Sequence, residues 1–419
     1  MALSKMFSTS AISTRSIFAA ALLAATAMTA AGTAHAGGFA IREQSAEFQG
    51  SSFAGAAAGG LGLSSMFWNP AAVTAHSGWK EEVNGALVIP YSRAKGMTGA
   101  APGGDNSGNI GKLAFVPATY GSYQINERFW LGLAVNSPFG MMTKNKFGSK
   151  SANYGYKSKI FTFNINPMMG VKLNDMLSIG VGLQVNYMKG NLTTAHPLLG
   201  QTSKIKGDDW GVGFTVGLTF TPTDTTTIGI GYRSRVKHKL KGNFTLLGAT
   251  IPATVKHTLP DMATFSLRQK IGERFTLLGS VEWTNWSLFK DFTIKSGGAV
   301  INSTPYDWKD SWLFAVGGEC RYSDALTLRA GYAYEISPVT DSARGVRVPD
   351  NDRHWLSIGL SYAANDWMTM HAGYSHLFIK KGKVDMGAAL NANYKNHVDI
   401  VSVSATIDPA KLFSALGGH

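Results

Sequence analysis

The sequence predicts an all-β protein, a fourteen-stranded antiparallel transmembrane β-barrel with an N-terminal hatch plugging the lumen. Three observations carry that prediction. Long runs alternate between bulky apolar residues and small or polar ones; short polar turns and long loops succeed each other along the 419 residues; and after the N-terminal leader no apolar run reaches the roughly 18 residues a membrane helix needs. A closed barrel is the other structure that satisfies every backbone group within lipid.

Taken in order, residues 1–36 read as a secretory signal. Lys5 and Arg15 supply the positive end, 17–31 the apolar core, and Ala34-His35-Ala36 the small-residue cleavage site, so the mature chain begins near Gly37. Residues 37–78, rich in Gly, Ala and Ser, hold no barrel strand and start on the periplasmic side. They are expected to fold back as the hatch, because a barrel of this width is otherwise an open aqueous pore. The barrel then occupies 79–407, with strands at 79–92, 113–124, 128–137, 160–173, 176–190, 209–220, 225–237, 260–271, 274–286, 307–322, 325–337, 353–363, 367–378 and 397–407.

Tight turns such as Asn126-Glu127, Asn174-Asp175 and Asn365-Asp366 join these strands at one end. At the other end lie 93–112, 138–157, 191–208, 238–259, 287–306, 338–352 and 379–396, read as long loops. Short periplasmic turns against long outer loops are the layout of an outer-membrane barrel, and an even count returns both termini to the periplasm. Residues 408–419 remain as a C-terminal extension.

The stretch 210–220 sets the orientation. Trp210, Val212, Phe214, Val216, Leu218 and Phe220 share one face, opposite Gly211, Gly213, Thr215, Gly217 and Thr219. Elsewhere Arg233 and Arg329 fall on the small-residue face. An Arg facing lipid at the bilayer midplane costs about 2–4 kcal/mol, so the apolar face looks outward and the small or ionic face lines the bore.

Composition excludes several other classes. Charged residues are 16%, and the formal net charge is +13, or +11 without Lys5 and Arg15. Such an excess implies anionic neighbours: lipopolysaccharide phosphates, a carboxylate ligand or nucleic acid. An exported chain without a basic helix or an RNA-binding aromatic motif is not expected to meet nucleic acid. One cysteine, Cys320, leaves no internal disulfide framework. His371 and His376 fall on opposite strand faces, and no nucleophile with a base is apparent, so neither an enzyme nor a metal or cofactor protein is expected.

Gly38-Phe39, Phe67-Trp68-Asn69-Pro70-Ala71-Ala72, Ser137-Pro138-Phe139-Gly140, Leu259-Pro260-Asp261, Trp286-Ser287-Leu288-Phe289, Trp308-Lys309-Asp310 and Val348-Pro349-Asp350-Asn351-Asp352-Arg353-His354-Trp355-Leu356-Ser357 span nearly the whole mature chain. With these motifs the sequence resembles the FadL-type outer-membrane transporters of long-chain fatty acids and other hydrophobic compounds. The resemblance implies passive diffusion: outer loops capture the ligand, the hatch rearranges, and release is sideways near the third strand. It places the hatch motif at Asn69, Pro70 and Ala71, a deeper pocket against Phe39, and the lateral opening at Asn136, Ser137 and Pro138. Pro138 cannot donate a ladder hydrogen bond, so it either breaches or ends that strand.

Leu198, Leu199, Phe244, Leu246 and Leu247 form apolar clusters in expected outer loops, which mark ligand capture or loop-on-loop packing. A fatty acid carboxylate also calls for a cation, because an unpaired buried charge is costly. Lys309 is the first candidate by its motif, followed by Arg233 and Lys189. The expected partners are a hydrophobic small molecule, outer-membrane lipid and lipopolysaccharide, with the chain a monomer. An aromatic hydrocarbon channel of the same fold and a general porin are the competing functions. The C-terminal extension departs from the family habit of ending on an aromatic residue.

Overall fold

The period-two pattern appears directly in the exposure of 210–220. In the computed structural model, which describes residues 37–417, Trp210, Val212, Phe214, Val216 and Phe220 are exposed on the outer face while Thr215 is buried toward the bore. The expected signal, 1–36, and the last two residues of the C-terminal extension lie outside the described residues.

The wall comprises β1 (Trp79–Ala94), β2 (Ala114–Gln124), β3 (Phe129–Asn136), β4 (Gly140–Lys144), β5 (Lys157–Lys172), β6 (Leu177–His196), β7 (Gln201–Thr223), β8 (Thr226–Arg233), β9 (Val236–Leu246) and β10 (Ala249–Leu259). It continues through β11 (Met262–Ile271), β12 (Phe275–Thr284), β13 (Asp291–Ser296), β14 (Ala299–Pro305), β15 (Ser311–Arg321), β16 (Leu326–Ile336), β17 (Arg353–Ala363), β18 (Met368–Asp385) and β19 (Asn391–Ile407). These 19 segments make fourteen crossings, because β3 with β4, β8 with β9, β10 with β11, β12 with β13 and β14 with β15 are each one crossing interrupted by a bend. Pairing is antiparallel throughout. β1 pairs with both β2 and β19, which closes the cylinder and leaves no free sheet edge at that seam.

At the tight turns, side-chain amides take the place of a ladder. Asn174 Oδ1 accepts from the N–H groups of Met176 and Leu177, both at 2.9 Å, and Asn126 Oδ1 accepts from Arg128 and Phe129.

Four expected loops differ from the structure. Segments 191–208, 238–259, 287–306 and 379–396 continue as paired strands, with β6 and β7 in register from Leu177↔Phe220 to His196↔Gln201, β9 paired with β10, β13 with β14, and β18 with β19 out to Asp385↔Asn391. Beyond the bilayer both faces of a hairpin meet water or protein, so runs such as Lys237-His238-Lys239-Leu240-Lys241 read as solvated loop although their backbone is fully laddered.

The hatch, 37–78, fills the bore with short elements: helix α1 (Ala46–Gln49) and 3-10 turns at Ala56–Ala58, Ser64–Phe67 and Pro70–Ala75. Nearly all of its side chains are buried, and Phe48, Phe53, Phe67 and Trp68 form a core with wall residues Val88, Val116, Leu313 and Trp355. The small residues of the bore face allow this approach. A Cβ at Gly231 would overlap the carbonyl oxygen of Trp68, and one at Gly229 that of Ala57. At the other terminus α2 (Pro409–Ala415) is capped by Asp408, which also pairs with Lys80 at 2.7 Å, while Phe413 approaches Trp79.

Gly231→Val should therefore push the hatch off the wall and destabilise the barrel by about 1–3 kcal/mol, the usual cost of overpacking. The temperature of the heat-induced shift on a detergent gel reads this out. A variant that melts with the wild type would refute the contact.

Candidate functional site

The wall is interrupted at 137–139, and the hatch repairs it. β3 ends at Asn136, β4 resumes at Gly140, and the ladder between β2 and β3 stops at Thr119↔Val135. Above that point β2 keeps its partner β1, and its 114–118 stretch has no partner on β3. Pro138 has no N–H to give. Across the break Ile41 N–H donates to Pro138 O at 2.8 Å, Gly140 N–H donates to Phe39 O at 2.9 Å, and Ala40 bridges Phe139. Thr162 Oγ1 accepts from Phe139 N–H at 3.0 Å and donates to its carbonyl at 2.7 Å, while Gln44 Nε2 donates to Ser137 O at 2.9 Å. Asn136, Ser137 and Pro138 are all buried there.

The residues holding this N-terminal strap come from distant motifs. Gly37 N–H donates to Glu335 Oε1 at 2.8 Å, and Gly38 N–H to Asp350 Oδ2 at 3.1 Å. Gly38 sits at φ +68°, and a Cβ there would lie 2.7 Å from Trp308 and 3.1 Å from Trp286. That geometry explains glycine in Gly38-Phe39. Arg42 pairs with Glu282 and Glu335 at 2.8 and 2.5 Å. Arg329 joins Glu47 to Glu319.

The other motif aspartates serve bends in the wall. Asp261 accepts from Arg235 N–H, Asp310 from Ser287 N–H and Asp352 from Ser337 N–H, each at 3.0 Å. Each supplies an acceptor where the ladder lapses. Asn69 caps the last hatch turn through Ala71 N–H and donates to Ala57 O and Leu218 O, with Pro70 at the first position of that turn. The hatch motif Asn69-Pro70-Ala71 thus ties the plug to β7.

Behind the strap lies a cavity whose lining is overwhelmingly apolar. Phe39 forms part of it, with Met141, Ile160, Met188, Leu192, Ile205, Leu240, Val255, His257, Phe289, Phe292, Tyr306, Trp308 and Arg347. Aromatic edges meet around Phe39: its ring centroid is 4.5 Å from Trp286, 5.7 Å from His257 and 5.9 Å from Trp308. Such aromatic contacts are worth about 0.5–1.5 kcal/mol each beyond area, and together they seat the strap.

Of the sequence candidates, Phe39 lines the cavity and Phe244 packs on the same cluster. Leu198 and Leu199 are 82% and 59% exposed at the tip between β6 and β7, and Leu246 and Leu247 are exposed at the tip between β9 and β10. Lys309 and Lys189 are exposed, and neither belongs to the cavity lining. Arg233 is buried deeper, its guanidinium 4.5 Å over the Phe67 ring and donating to Phe67 O at 3.0 Å and Gln184 Oε1 at 2.7 Å. His257 and Arg347 were missed, because each lay in a segment read as loop. No amphipathic period marks them.

Glu43, in the strap, is buried without a hydrogen bond to either carboxyl oxygen. Burial pushes its pKa up to about 7, against the pull of nearby Arg42 and Arg353.

A closed barrel with a lipid-fitting exterior, a stopper folded from its own N-terminus and an apolar cavity behind that stopper defines an outer-membrane channel for hydrophobic molecules. The family described as outer membrane protein transport protein (OMPP1/FadL/TodX) matches residues 27–408, and the chain belongs to it. It is 26% identical over 399 residues to the long-chain fatty acid transport protein of Escherichia coli O6:H1, covering 84% of this chain and 90% of that one. It is 30% identical over 386 residues to the 47 kDa outer membrane protein of Pasteurella multocida, covering 83% and 89%. A Pseudomonas aeruginosa FadL homologue of known structure superposes with TM-score 0.82 at 26% identity, over 89% of this chain and 100% of that chain. The P. putida toluene transporter TodX superposes at 0.70 over 88% and 99%; at 15% identity it shares the fold. The chain is thus an outer-membrane transporter of hydrophobic compounds.

Because the folded pKa of Glu43 lies above the ordinary carboxylate value of 4.5, its contribution to hatch docking is complete below that value and is lost as pH rises through about 7. Hatch amides should exchange more slowly at about pH 5.5 than at about pH 7.5 after intrinsic correction, with a slope of up to about 1.4 kcal/mol per pH unit. Glu43→Gln should flatten that slope; equal slopes in both proteins would remove Glu43 as its cause.

Proposed function

We propose that the protein carries long-chain fatty acids inward by passive diffusion. The observation that carries this reading is the double use of one segment: Phe39 lines an apolar cavity while its own carbonyl completes the wall at the break. Leu198, Leu199, Leu246 and Leu247 capture the ligand from outside, and Phe244 leads it to the cavity. Entry of an alkyl chain displaces Phe39 from its aromatic neighbours, and with it the strap. Pro138 O and Gly140 N–H then lose their partners, and the wall opens beside Asn136, Ser137 and Pro138 toward the outer leaflet. The ligand gradient and its preference for apolar surroundings drive each step. The chain acts as a monomer among outer-membrane lipid and lipopolysaccharide.

A reversible lock tests this sequence. Ala40 and Phe139 face each other in the bridge, and antiparallel partners lie about 4.5–5.5 Å apart at Cα, within disulfide reach. With Cys320→Ser removing the native thiol, Ala40→Cys with Phe139→Cys should block oleate uptake when oxidised and restore it on reduction. Undiminished uptake with the bridge fully formed would sink the gating role of the strap.

A further inference from the structure

We propose that the lysine patch on the outer face of β5, β6, β7, β9 and β10 is a docking site for the phosphates of one lipopolysaccharide molecule. The proposal deepens one part of the function argued above, the lipopolysaccharide surroundings, and is independent of what the cavity carries.

The same face marks where the bilayer ends. Val212, Phe214 and Val216 of β7 are exposed there, and above them Trp210 meets Tyr187 of β6 with ring centroids 5.1 Å apart. Aromatic residues of this kind girdle the interface of a membrane barrel. Toward the outer tips the face then turns basic: Lys159 on β5, Lys189 on β6, Lys206 on β7, Lys239 and Lys241 on β9 and Lys256 on β10 are all exposed. Their chain neighbours Ile160, Met188, Leu240 and Val255 line the cavity, so strand alternation turns the lysines away from it. Lys189 accordingly serves the membrane side of the wall.

Register gathers the six into one patch. Lys189 stands opposite Asp208, and Asp208 opposite Lys241, which sets the two lysines two strands, about 10 Å, apart. Lys159 and Lys206 flank Asn191 in the same way. Lys239 and Lys256 face each other directly. Like charges opposite one another on adjacent strands repel, and an anion lying between them relieves the repulsion.

Among the described residues none of the six has a carboxylate at ion-pair distance. The lysines that do, Lys80, Lys172, Lys380 and Lys383, lie elsewhere on the wall. On β18, for example, Lys380 and Lys383 are answered by Asp352 and Asp385 at 3.0 and 3.1 Å. Near the patch, Asp209 is taken up by Lys239 N–H at 2.7 Å, and Asp208 alone stands in the lysine rows. A lipopolysaccharide headgroup carries more than one phosphate on a single sugar scaffold. One molecule thus reaches several lysines while its acyl chains lie along Val212, Phe214 and Val216, whereas a glycerophospholipid brings one phosphate.

The test titrates full-length protein in dodecylmaltoside micelles with fluorescently labelled rough lipopolysaccharide. Lys189→Gln, Lys239→Gln and Lys241→Gln combined should weaken binding on the order of 100-fold, about fivefold for each lysine beside an anionic surface. Lys270→Gln, Lys381→Gln and Lys395→Gln combined remove the same charge outside the patch and should leave affinity nearly unchanged. Removing the phosphates from the lipopolysaccharide should weaken wild-type binding to the level of the patch variant. Equal losses in the two triple variants would assign binding to net charge and overturn the proposal. So would a wild type that binds dephosphorylated lipopolysaccharide as tightly, or that prefers phosphatidylglycerol. Oleate binding by the same wild-type preparation is a separate readout: its failure counts against the transport reading and leaves the patch standing.

Discussion

Backbone hydrogen bonding in hydrocarbon is the constraint on which the rest of this structure depends. An unpaired amide or carbonyl within the bilayer costs several kcal/mol, so a wall interrupted within that layer needs something else to satisfy its backbone groups. Residues 39–41 provide the groups that the 137–139 interruption lacks. Plug and wall are consequently one hydrogen-bonded system, and neither is fully satisfied without the other. The same rule accounts for Asp261, Asp310 and Asp352, each holding a lone N–H at a bend.

The lumen adds a second layer of fit. Glycines in the bore-facing rows bring hatch and wall backbones into contact, so the docking surface is read by shape as much as by chemistry. Buried ion pairs then fix the register: Arg42 spans Glu282 and Glu335, and Arg329 spans Glu47 and Glu319. Such pairs add little net stability once desolvation is counted, but a misplaced hatch would strand their charges. That asymmetry favours one seating of the plug.

Much of this was legible in the sequence where lipid imposes it. The alternation in 210–220 has one outward solution because its two faces meet hydrocarbon and a crowded bore, and the asparagine turns mark the periplasmic ends. Legibility fades where the surroundings stop being two-sided. Above the bilayer, β9, β10, β13 and β14 are as well paired as the wall yet carry mixed polarity, and they read as loop. The site divides in the same way. Phe39 could be named because a motif surrounds it, whereas Arg347 meets Lys157, Ser158 and Thr193 only through the closure of the cylinder, which no local spacing encodes. Lys309 lies in a motif whose recorded structural work is done by its neighbour Asp310, holding Trp283 and Ser287.

One donor in the strap bears on biogenesis. Gly37 nitrogen faces Glu335, with Asp350 beside its neighbour Gly38. If the expected leader is cleaved after Ala36, that nitrogen changes from a peptide amide into a primary ammonium beside Glu335, a carboxylate Arg42 also pairs. In that case maturation would add one more ion to the charged network that holds the strap.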